Sequence, residues 1–297
     1  MTKIAYREPK RWTGEVRKLL DKIIEIVEDY QNQGYTMTLR QLYYQLVSRD
    51  IIPNQQRQYA KLSRILTDAR MEGLVDWEFI EDRIRVPKFP NQFDNIADAM
   101  NTITQVYRLD RWEGQDNYVE VWVEKDALSG VLEPITRKYH VHLLVNRGYS
   151  SVSAMHDSAQ RIRQQEDQGK TAYVIYMGDH DPSGEDMVRD IQDRLNGFGC
   201  NAEVEKIALT MAQIRQYNPP PNPVKMTDTR AEGYRQEHGD ESWELDALPP
   251  NVLVKLLTDR LDELIDQDKY DAIVRQEKLD KRKMETFGQE ESEDESD

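Results

Sequence analysis

The first third of the chain repeats apolar residues at the spacing of amphipathic helices. In residues 15–33 they recur every three or four positions up to Gly34, which predicts a helix that ends there. Thr38 and Gln41 fit a capping box and predict the start of a second helix. Residues 55–72 carry the same spacing and predict a third helix.

Two short extended stretches, residues 74–79 and 83–87, follow the third predicted helix. Three helices, with a tight turn at Pro53 between the second and the third, and then a strand pair are the outline of a winged helix-turn-helix. We therefore predict a winged-helix DNA-binding domain over residues 1–93, followed by a linking helix within residues 94–116.

From residue 117 onward, short apolar runs alternate with helical segments. The runs are rich in β-branched and aromatic residues, as buried parallel strands are. This alternation predicts βαβ units and an α/β domain with a Rossmann-like, mostly parallel sheet over residues 117–287, including a C-terminal helical extension. The predicted strands are 118–124, 141–145, 172–177 and 202–209, and the predicted helices are 127–139, 151–167, 184–195 and 251–266.

The charge of the chain is unevenly distributed. Residues 1–90 sum to +3 and residues 91–297 to −18, although the whole chain carries −15. The last nine residues, QEESEDESD, contribute −6, and such a run is typical of a disordered acidic tail, which we predict over residues 288–297. The overall negative charge therefore does not exclude a nucleic-acid partner for the N-terminal region.

Composition narrows the class of protein further. No apolar run approaches the roughly 20 residues of a membrane span, and the N-terminus lacks the apolar stretch of a secretory signal. Cys200 is the only cysteine, which excludes an intrachain disulfide framework and a zinc site built from cysteines. We expect a cytoplasmic protein without membrane contact.

Three carboxylates follow strands of the predicted sheet. Glu124 comes at the end of the first strand, and Asp179 and Asp181 come after the third, in the sequence GDHDPSG. Ligands of open parallel sheets bind at the carboxyl ends of the strands, so these side chains should gather at one edge. Carboxylate oxygens are the ligands that Mg²⁺ prefers, and a cation would relieve their mutual repulsion. The sequence predicts a Mg²⁺ site here, with Mn²⁺ as a possible substitute.

This pattern resembles the TOPRIM domain of topoisomerases, primases and recombination nucleases. The form GDHDPSG is most similar to the A subunit of type IIB topoisomerases (topoisomerase VI) and to related meiotic double-strand-break proteins, with a match over residues 118–205. The resemblance implies that Glu124, Asp179 and Asp181 are the metal ligands of a DNA-cleaving site.

A haloacid-dehalogenase-type phosphatase also places an Asp-x-Asp pair after a strand. In that family the pair follows the first strand of the domain and precedes a threonine. Here the pair follows the third strand, and Pro182 and Ser183 come next. This order disfavours the phosphatase interpretation.

Two adjacent tyrosines in the second helix also match the resemblance. In that family a winged-helix tyrosine attacks a DNA phosphodiester, and the corresponding residue is Tyr44. Helical geometry places Tyr43 on the apolar face and Tyr44 well off it. Arg40 lies one turn before Tyr44, where it can hold the scissile phosphate and favour the phenolate. An equally open interpretation is that Tyr44 is a surface residue that only stacks against DNA.

A basic stripe occupies one side of the third helix. Arg57, Lys61 and Arg64 recur at i, i+4 and i+7, opposite the apolar face. The third helix of a helix-turn-helix is where phosphate and groove contacts occur, so we predict that these three residues bind DNA.

The leading functional hypothesis is therefore Mg²⁺-dependent cleavage of double-stranded DNA. Either water hydrolyses the phosphodiester, or Tyr44 attacks and becomes linked to the 5′ end. The alternative is a non-catalytic DNA-binding accessory protein that retains the fold.

The resemblance implies a homodimer, in which each tyrosine meets the partner's metal. It also implies a separate ATPase subunit of GHKL or SMC type, as in SMC-type plasmid-defence systems. Trp243, Glu244 and Asp246 either add to the acidic site or pack and cap the last helix, and we favour packing.

Overall fold

The computed structural model describes residues 4–34, 36–77, 80, 90, 92–146 and 152–294, with side chains up to residue 286. It is a mixed α/β structure with a four-stranded parallel sheet. The N-terminal elements are α1 (Gly14–Asn32), α2 (Leu39–Ser48), α3 (Gln56–Met71) and α4 (Ile96–Val106). The sheet region contains β1 (Asn117–Val123), α5 (Ser129–Tyr139), β2 (His142–Val145), α6 (Val152–Glu166), β3 (Thr171–Met177), α7 (Pro182–Gly197) and β4 (Glu203–Ala208). The remaining elements are α8 (Met211–Tyr217), β5 (Asn222–Pro223), α9 (Ala231–His238), β6 (Glu241–Ser242), α10 (Pro250–Leu264) and α11 (Gln267–Asp294).

Helices α1, α2 and α3 form one apolar core. Their buried faces include Leu20 and Ile23 of α1, Leu42 and Leu46 of α2, and Leu62 of α3. The predicted capping box at the start of α2 is confirmed, because the Thr38 side chain accepts from the Gln41 amide and the Gln41 side chain accepts from the Thr38 amide. The three helices thus follow the order that the apolar spacing predicts.

The predicted strand pair after α3 is only partly within the described residues. Residues 74 and 75 form a bend, and none of residues 74–77 belongs to a strand. The reason is local, since the amides of Leu74 and Val75 bond back to the Ala69 carbonyl and close the end of α3. Ile80 forms an isolated bridge with Met37. Residues 78–79 and 83–87 lie outside the described part of the chain.

The sheet has the strand order β2–β1–β3–β4, and all its pairs are parallel. Helices α5 and α10 cover one face and α6 and α7 the other, which gives an α/β sandwich as the alternating pattern predicts. Along β1, the side chains of Val119, Val121 and Val123 enter the core on the α5 and α10 side. Those of Tyr118 and Trp122 enter the core on the α6 and α7 side.

A buried carboxylate lies in the middle of β1. Glu120 is fully buried and accepts hydrogen bonds from the Tyr118 hydroxyl, at 2.8 Å, and the Trp122 indole, at 2.9 Å. Arg161 of α6 adds a bidentate ion pair, with Nε 2.9 Å and Nη2 3.2 Å from the two carboxylate oxygens. The charge is therefore fully paired on one side of the strand.

The C-terminal part contains elements that the apolar pattern did not predict. Helices α8 and α9 and the two-residue pair β5–β6 occupy the region between β4 and α10. Helix α11 packs against α4 and continues to Asp294, through most of the segment for which the charge run predicts a disordered tail. The run that precedes this segment is rich in Glu, Lys, Arg and Gln, which have high helix propensity and sustain the helix. Among the described residues, no helix is long and apolar enough to cross a membrane.

Candidate active site

A cleft of about 970 Å³ opens at the carboxyl edge of the sheet, between the sheet and the helix trio. Its walls include all three predicted ligands, Glu124, Asp179 and Asp181. Arg40 of α2 and the segment that begins α3 form the opposite wall. The topology thus brings these carboxylates to the carboxyl edge of the sheet. This is the edge at which parallel sheets bind ligands.

The GDHDPSG segment is held tightly in place. Asp181 caps α7, with its Oδ1 2.7 Å from both the Gly184 amide and the Ser183 hydroxyl. Gly184 is needed because a Cβ at this position would lie 2.1 Å from the Asp179 carbonyl oxygen. The glycine therefore lets the first turn of α7 approach the end of β3 closely.

Glu124 belongs to the wall of the same cleft but has partners of its own. Its Oε2 accepts a hydrogen bond from the Asp179 amide at 2.9 Å and from the Tyr176 hydroxyl at 3.3 Å. Glu124 thereby holds the backbone of the segment that presents Asp179. One oxygen of the carboxylate is engaged in these contacts.

The carboxylates that come closest to one another are Asp179, Glu244 and Asp246. Each offers an oxygen, and these atoms lie within 4.8 Å of one another. Glu244 and Asp246 arrive here because His180 and Trp243 form an antiparallel bridge, with both amide–carbonyl bonds made. We define these three residues as the acidic triplet, which can bind a metal ion.

The favoured interpretation of Glu244 and Asp246 as packing or capping residues therefore needs correction. The N-cap of α10 is Pro249, and neither carboxylate caps it. Asp246 is 1% exposed and its carboxylate is directed at charged groups. The available sequence signal was the pair of carboxylates two residues apart in WELDALPP, but nothing in it indicated proximity to residue 179.

Lys125 lies at the centre of the triplet and is a site residue that the sequence reasoning missed. Its Nζ is 2.8 Å from Asp179 Oδ1, 2.5 Å from Glu244 Oε2 and 2.8 Å from Asp246 Oδ1. Burial acts to lower the pKa of Lys125, but the three carboxylates outweigh burial and raise it above its ordinary value. Lys125 is therefore a charged internal counter-ion, and its position directly after Glu124 was the signal for it.

Arg40 links α2 to the acidic triplet of the same chain. Its Nε donates to Asp246 Oδ2 at 2.8 Å, and its Nη2 donates to Glu244. The 3₁₀ turn Leu245–Ala247 packs against α2 at the same place. In this arrangement Arg40 neutralises the triplet, whereas the sequence predicts that it holds a phosphate.

Two carboxylates of the triplet, Asp179 and Glu244, differ in acidity. Burial raises the pKa of Asp179, Lys125 offsets this only in part, and the neighbouring carboxylates raise it further, to about 7. Burial also acts to raise the pKa of Glu244, but Lys125 and Arg40 together lower it to about 2. One site thus holds a carboxylate that titrates near neutral pH beside one that stays ionised.

The adjacent tyrosines are both buried, at 5% and 6% exposure, so the expectation that Tyr44 lies off the core is wrong for its ring. Both rings line a second cleft of about 330 Å³ beside Arg40. The Tyr43 hydroxyl accepts from the Gln55 amide at 2.7 Å and donates to Asn54 Oδ1 at 3.0 Å. The Tyr44 hydroxyl has no hydrogen bond within the described residues, and burial together with Glu244 and Asp246 raises its pKa.

The basic residues of α3 lie on its outer face, as predicted. Arg57, Lys61 and Arg64 are exposed, and they line a groove of about 650 Å³ together with Lys10 and Arg11. Gln55 and Gln56, at the start of the same helix, line the acidic cleft. The basic face is therefore continuous with the edge of the cleft.

Comparison of the chain with models of known protein families and with curated proteins found no match in either case. The assignment of a function therefore depends on the geometry of the site.

Proposed function

We propose that this chain cleaves double-stranded DNA in a Mg²⁺-dependent reaction, with a TOPRIM-type metal site and a winged-helix-type DNA-binding region. One observation carries the proposal: Arg40 and Tyr44 of α2 lie against a triplet of carboxylates at the carboxyl edge of a parallel sheet. The tyrosine and the carboxylate cluster thus lie in neighbouring clefts that share Arg40 as a lining residue.

The donor set fits a hard divalent cation. Five carboxylates line the cleft, Asp246 adds a sixth through its ion pair with Lys125, and three cations oppose them. The carboxylates of the lining are Glu124, Asp179, Asp181, Asp228 and Glu244, and the cations are Arg40, Lys125 and Lys225. With all groups ionised an excess of three negative charges remains, and only oxygen atoms are offered. Both properties favour Mg²⁺ or Mn²⁺ over softer metals.

A Mg²⁺ ion bound by the triplet would stabilise the negative charge that develops on the phosphodiester during cleavage. It would also favour formation of the nucleophile at neutral pH. The chain's own residues supply the remaining functions. Lys125 and Arg40 are cations that can exchange a carboxylate oxygen for a phosphate oxygen when DNA enters the cleft. Glu124 holds the Asp179 backbone, so that the triplet keeps its geometry during this exchange.

Water is the favoured nucleophile, because the surroundings of Tyr44 disfavour ionisation of its hydroxyl. Burial and two nearby carboxylates raise the pKa of its hydroxyl, and Arg40 is engaged by Glu244 and Asp246. Both features disfavour the phenolate that attack on phosphorus requires. In this proposal Tyr44 has no chemical role, and the products are free 5′-phosphate and 3′-hydroxyl ends.

DNA would reach the cleft along α3. Its exposed basic face suits phosphate contacts, and its first residues form part of the cleft wall. A homodimer would place two such sites on the two strands, and a separate ATPase subunit would control access to DNA. Tyr44 lies near the triplet of its own chain, so each site can be assembled without residues from the partner.

The test of this proposal is nicking or linearisation of supercoiled plasmid with Mg²⁺ or Mn²⁺, compared with EDTA. Asp179→Ala is expected to abolish cleavage because it removes the central ligand, while circular dichroism remains that of a folded protein. Asp157→Ala, at an exposed carboxylate of α6, is the matched control and should cleave normally. Metal-independent cleavage, or full activity of Asp179→Ala, would refute the proposal.

Tyr44→Phe separates the two mechanisms, because it removes the hydroxyl and keeps the ring. If water attacks, this variant should cut at nearly the wild-type rate and leave ends free of protein. Loss of cutting, together with wild-type products whose 5′ ends stay bound to protein until protease is added, would establish Tyr44 as the nucleophile.

A non-catalytic DNA-binding accessory protein is the second candidate, and Lys125 favours it. Its ammonium already occupies the centre of the triplet, as in a purely structural ion-pair network. This candidate predicts that the chain binds duplex DNA equally well with Mg²⁺ and with EDTA and cuts it in neither.

A further inference from the structure

A second group of ligand-type side chains lies behind the acidic triplet. It consists of His180, Glu185 and His238, whose nearest ligand atoms lie within 4.8 Å of one another. His180 comes from the GDHDPSG segment, Glu185 from the first turn of α7 and His238 from the end of α9. None of the three takes part in the proposed cleavage chemistry.

The Tyr234 hydroxyl contacts one ring nitrogen of His180 and leaves the other free of this contact. Nδ1 is 2.7 Å from the Tyr234 hydroxyl, and the same hydroxyl lies 3.0 Å from the His180 carbonyl and 3.2 Å from the Glu241 carbonyl. Carbonyl oxygens only accept, so the hydroxyl proton can serve one of them while a proton on Nδ1 is donated to the hydroxyl oxygen. In this tautomer the Nε2 atom of His180 carries a lone pair.

This lone pair faces another electron-rich group. His180 is 2% exposed, and its Nε2 lies 3.6 Å from Glu185 Oε1, with no hydrogen-bond partner among the described residues. Glu185 is partly exposed, and the Lys206 ammonium, 2.6 Å from the same Oε1, lies where a metal ion could take its place beside the two ligand atoms. Their separation matches the edge of about 3.4 Å that a tetrahedral zinc site with bonds near 2.1 Å would have.

The His238 ring completes the arrangement. It packs edge-on to His180, with 4.9 Å between ring centroids, and it lies one helical turn after Tyr234 on α9. Tyr234, in turn, orients His180 by the hydrogen bond to Nδ1, which is the kind of contact that fixes metal-binding histidines in proteins.

We propose that His180 Nε2, the Glu185 carboxylate and an imidazole nitrogen of His238 bind a zinc-class ion that is distinct from the Mg²⁺ site. Two imidazoles and one carboxylate suit Zn²⁺, and Co²⁺ as its surrogate, better than Mg²⁺. Lys206 donates to Glu185 at 2.6 Å and to the Asp179 carbonyl at 2.7 Å, so it competes with the ion for the carboxylate.

Such an ion would fasten α9 to the start of α7, on either side of the His180–Trp243 bridge. That bridge is what brings Glu244 and Asp246 to Asp179. The zinc-class site would therefore hold the acidic triplet together without touching DNA. This inference does not depend on the proposed cleavage activity, since binding is measured in the absence of DNA.

The experiment is a calorimetric titration in which Zn²⁺ is the only titrant. The full chain is first freed of metal with EDTA, the EDTA is removed, and excess Mg²⁺ is added to fill the acidic triplet. One Zn²⁺ per chain is expected for the wild type. His238→Ala, at a partly exposed position where folding should be preserved, is expected to weaken binding by at least about tenfold. His156→Ala, at an exposed histidine of α6, is the matched control and should bind like the wild type.

Two further measurements make the result decisive. Asp246→Asn, which alters the triplet alone, should retain the Zn²⁺ site, and Co²⁺ should give a tetrahedral absorption spectrum that His238→Ala loses. Absence of Zn²⁺ uptake by the wild type would overturn the proposal. So would equal affinity of wild type and His238→Ala, or loss of the site in Asp246→Asn.

Discussion

The acidic cleft and the outer face of α3 both carry charges predicted to act on DNA, but they hold these charges differently. At the cleft, the half-buried Lys125 is ion-paired with the buried Asp246 at 2.8 Å. On α3, Arg57, Lys61 and Arg64 are exposed to solvent. Buried charges must be compensated, so their geometry restricts the chemistry of the site. Exposed charges cost little free energy, so their positions alone say little about the chemistry of the surface that carries them.

Removal of the internal counter-ion should have the largest effect. Lys125→Met leaves the buried Asp179 and Asp246 and the half-buried Glu244 without their shared cation, and only Glu244 and Asp246 keep Arg40 as a partner. We expect the free energy of unfolding to fall by about 3–5 kcal/mol in EDTA. Mg²⁺ should restore part of this loss by taking the place of the ammonium. Denaturant unfolding with and without Mg²⁺ measures both, with Lys61→Met as the exposed control. A loss that Mg²⁺ does not reduce would mean that the triplet is only structural.

The acidity of Asp179 makes metal binding dependent on pH. Its pKa is raised to about 7, so below this value the folded protein must lose a proton before the carboxylate can bind a cation. The Mg²⁺ affinity should therefore rise by up to about tenfold per pH unit, roughly 1.4 kcal/mol, up to pH 7 and then level off. Calorimetry in buffers of different ionisation enthalpy should detect the released proton. Equal affinity at about pH 6 and about pH 8 would contradict this assignment.

The two tyrosines should differ in their contribution to stability. Tyr43→Phe leaves the Gln55 amide without its partner at the turn between α2 and α3, and should cost about 1–2 kcal/mol. Tyr44→Phe removes a hydroxyl that has no hydrogen bond among the described residues, and should cost less than about 0.5 kcal/mol. Thermal unfolding of both variants measures this difference. A larger loss for Tyr44→Phe would show that its hydroxyl has a structural partner.

Neutralisation of the α3 face should have the smallest effect on stability. The triple variant Arg57→Gln, Lys61→Gln and Arg64→Gln should unfold within about 0.5 kcal/mol of the wild type, because these groups are exposed. Its DNA affinity should fall, and the salt dependence of binding should decrease by about one unit of slope for each lost phosphate contact. Lys255→Gln with Lys283→Gln, at exposed positions elsewhere, is the control. An unchanged salt dependence of DNA binding would show that DNA binds to a surface other than that of α3.

Periodic patterns predicted much of the fold. The helices of the trio and the strands and helices of the sheet lie within a few residues of the ranges that apolar spacing indicates. Such elements are predictable because one face of each must be apolar along its whole length. Helices α8 and α9 and the β5–β6 pair escaped prediction because they are short and lie in a polar, proline-rich region where spacing carries little information.

The site was predictable only in part, for a related reason. Glu124, Asp179 and Asp181 follow strands, and the topology brings strand ends together. Glu244 and Asp246 reach the same edge through a single bridge between His180 and Trp243, which leaves no periodic signal in the chain. The burial of Tyr44 was missed because the helical wheel of α2 does not include the 3₁₀ turn that packs against it.

The paired charge of Glu120 has a consequence for how the cleft is assembled. Side chains of a strand alternate between faces, so a shift of β1 by one position against β3 would carry this carboxylate away from Arg161 and into the valine-lined core. A sheet paired in this way would bury an unpaired charge in an apolar layer. The cost of burying that charge would make it less stable than the observed sheet. Glu124 lies four residues further along the same strand direction. The ion pair between Glu120 and Arg161 thus fixes the strand register that places Glu124 at the cleft.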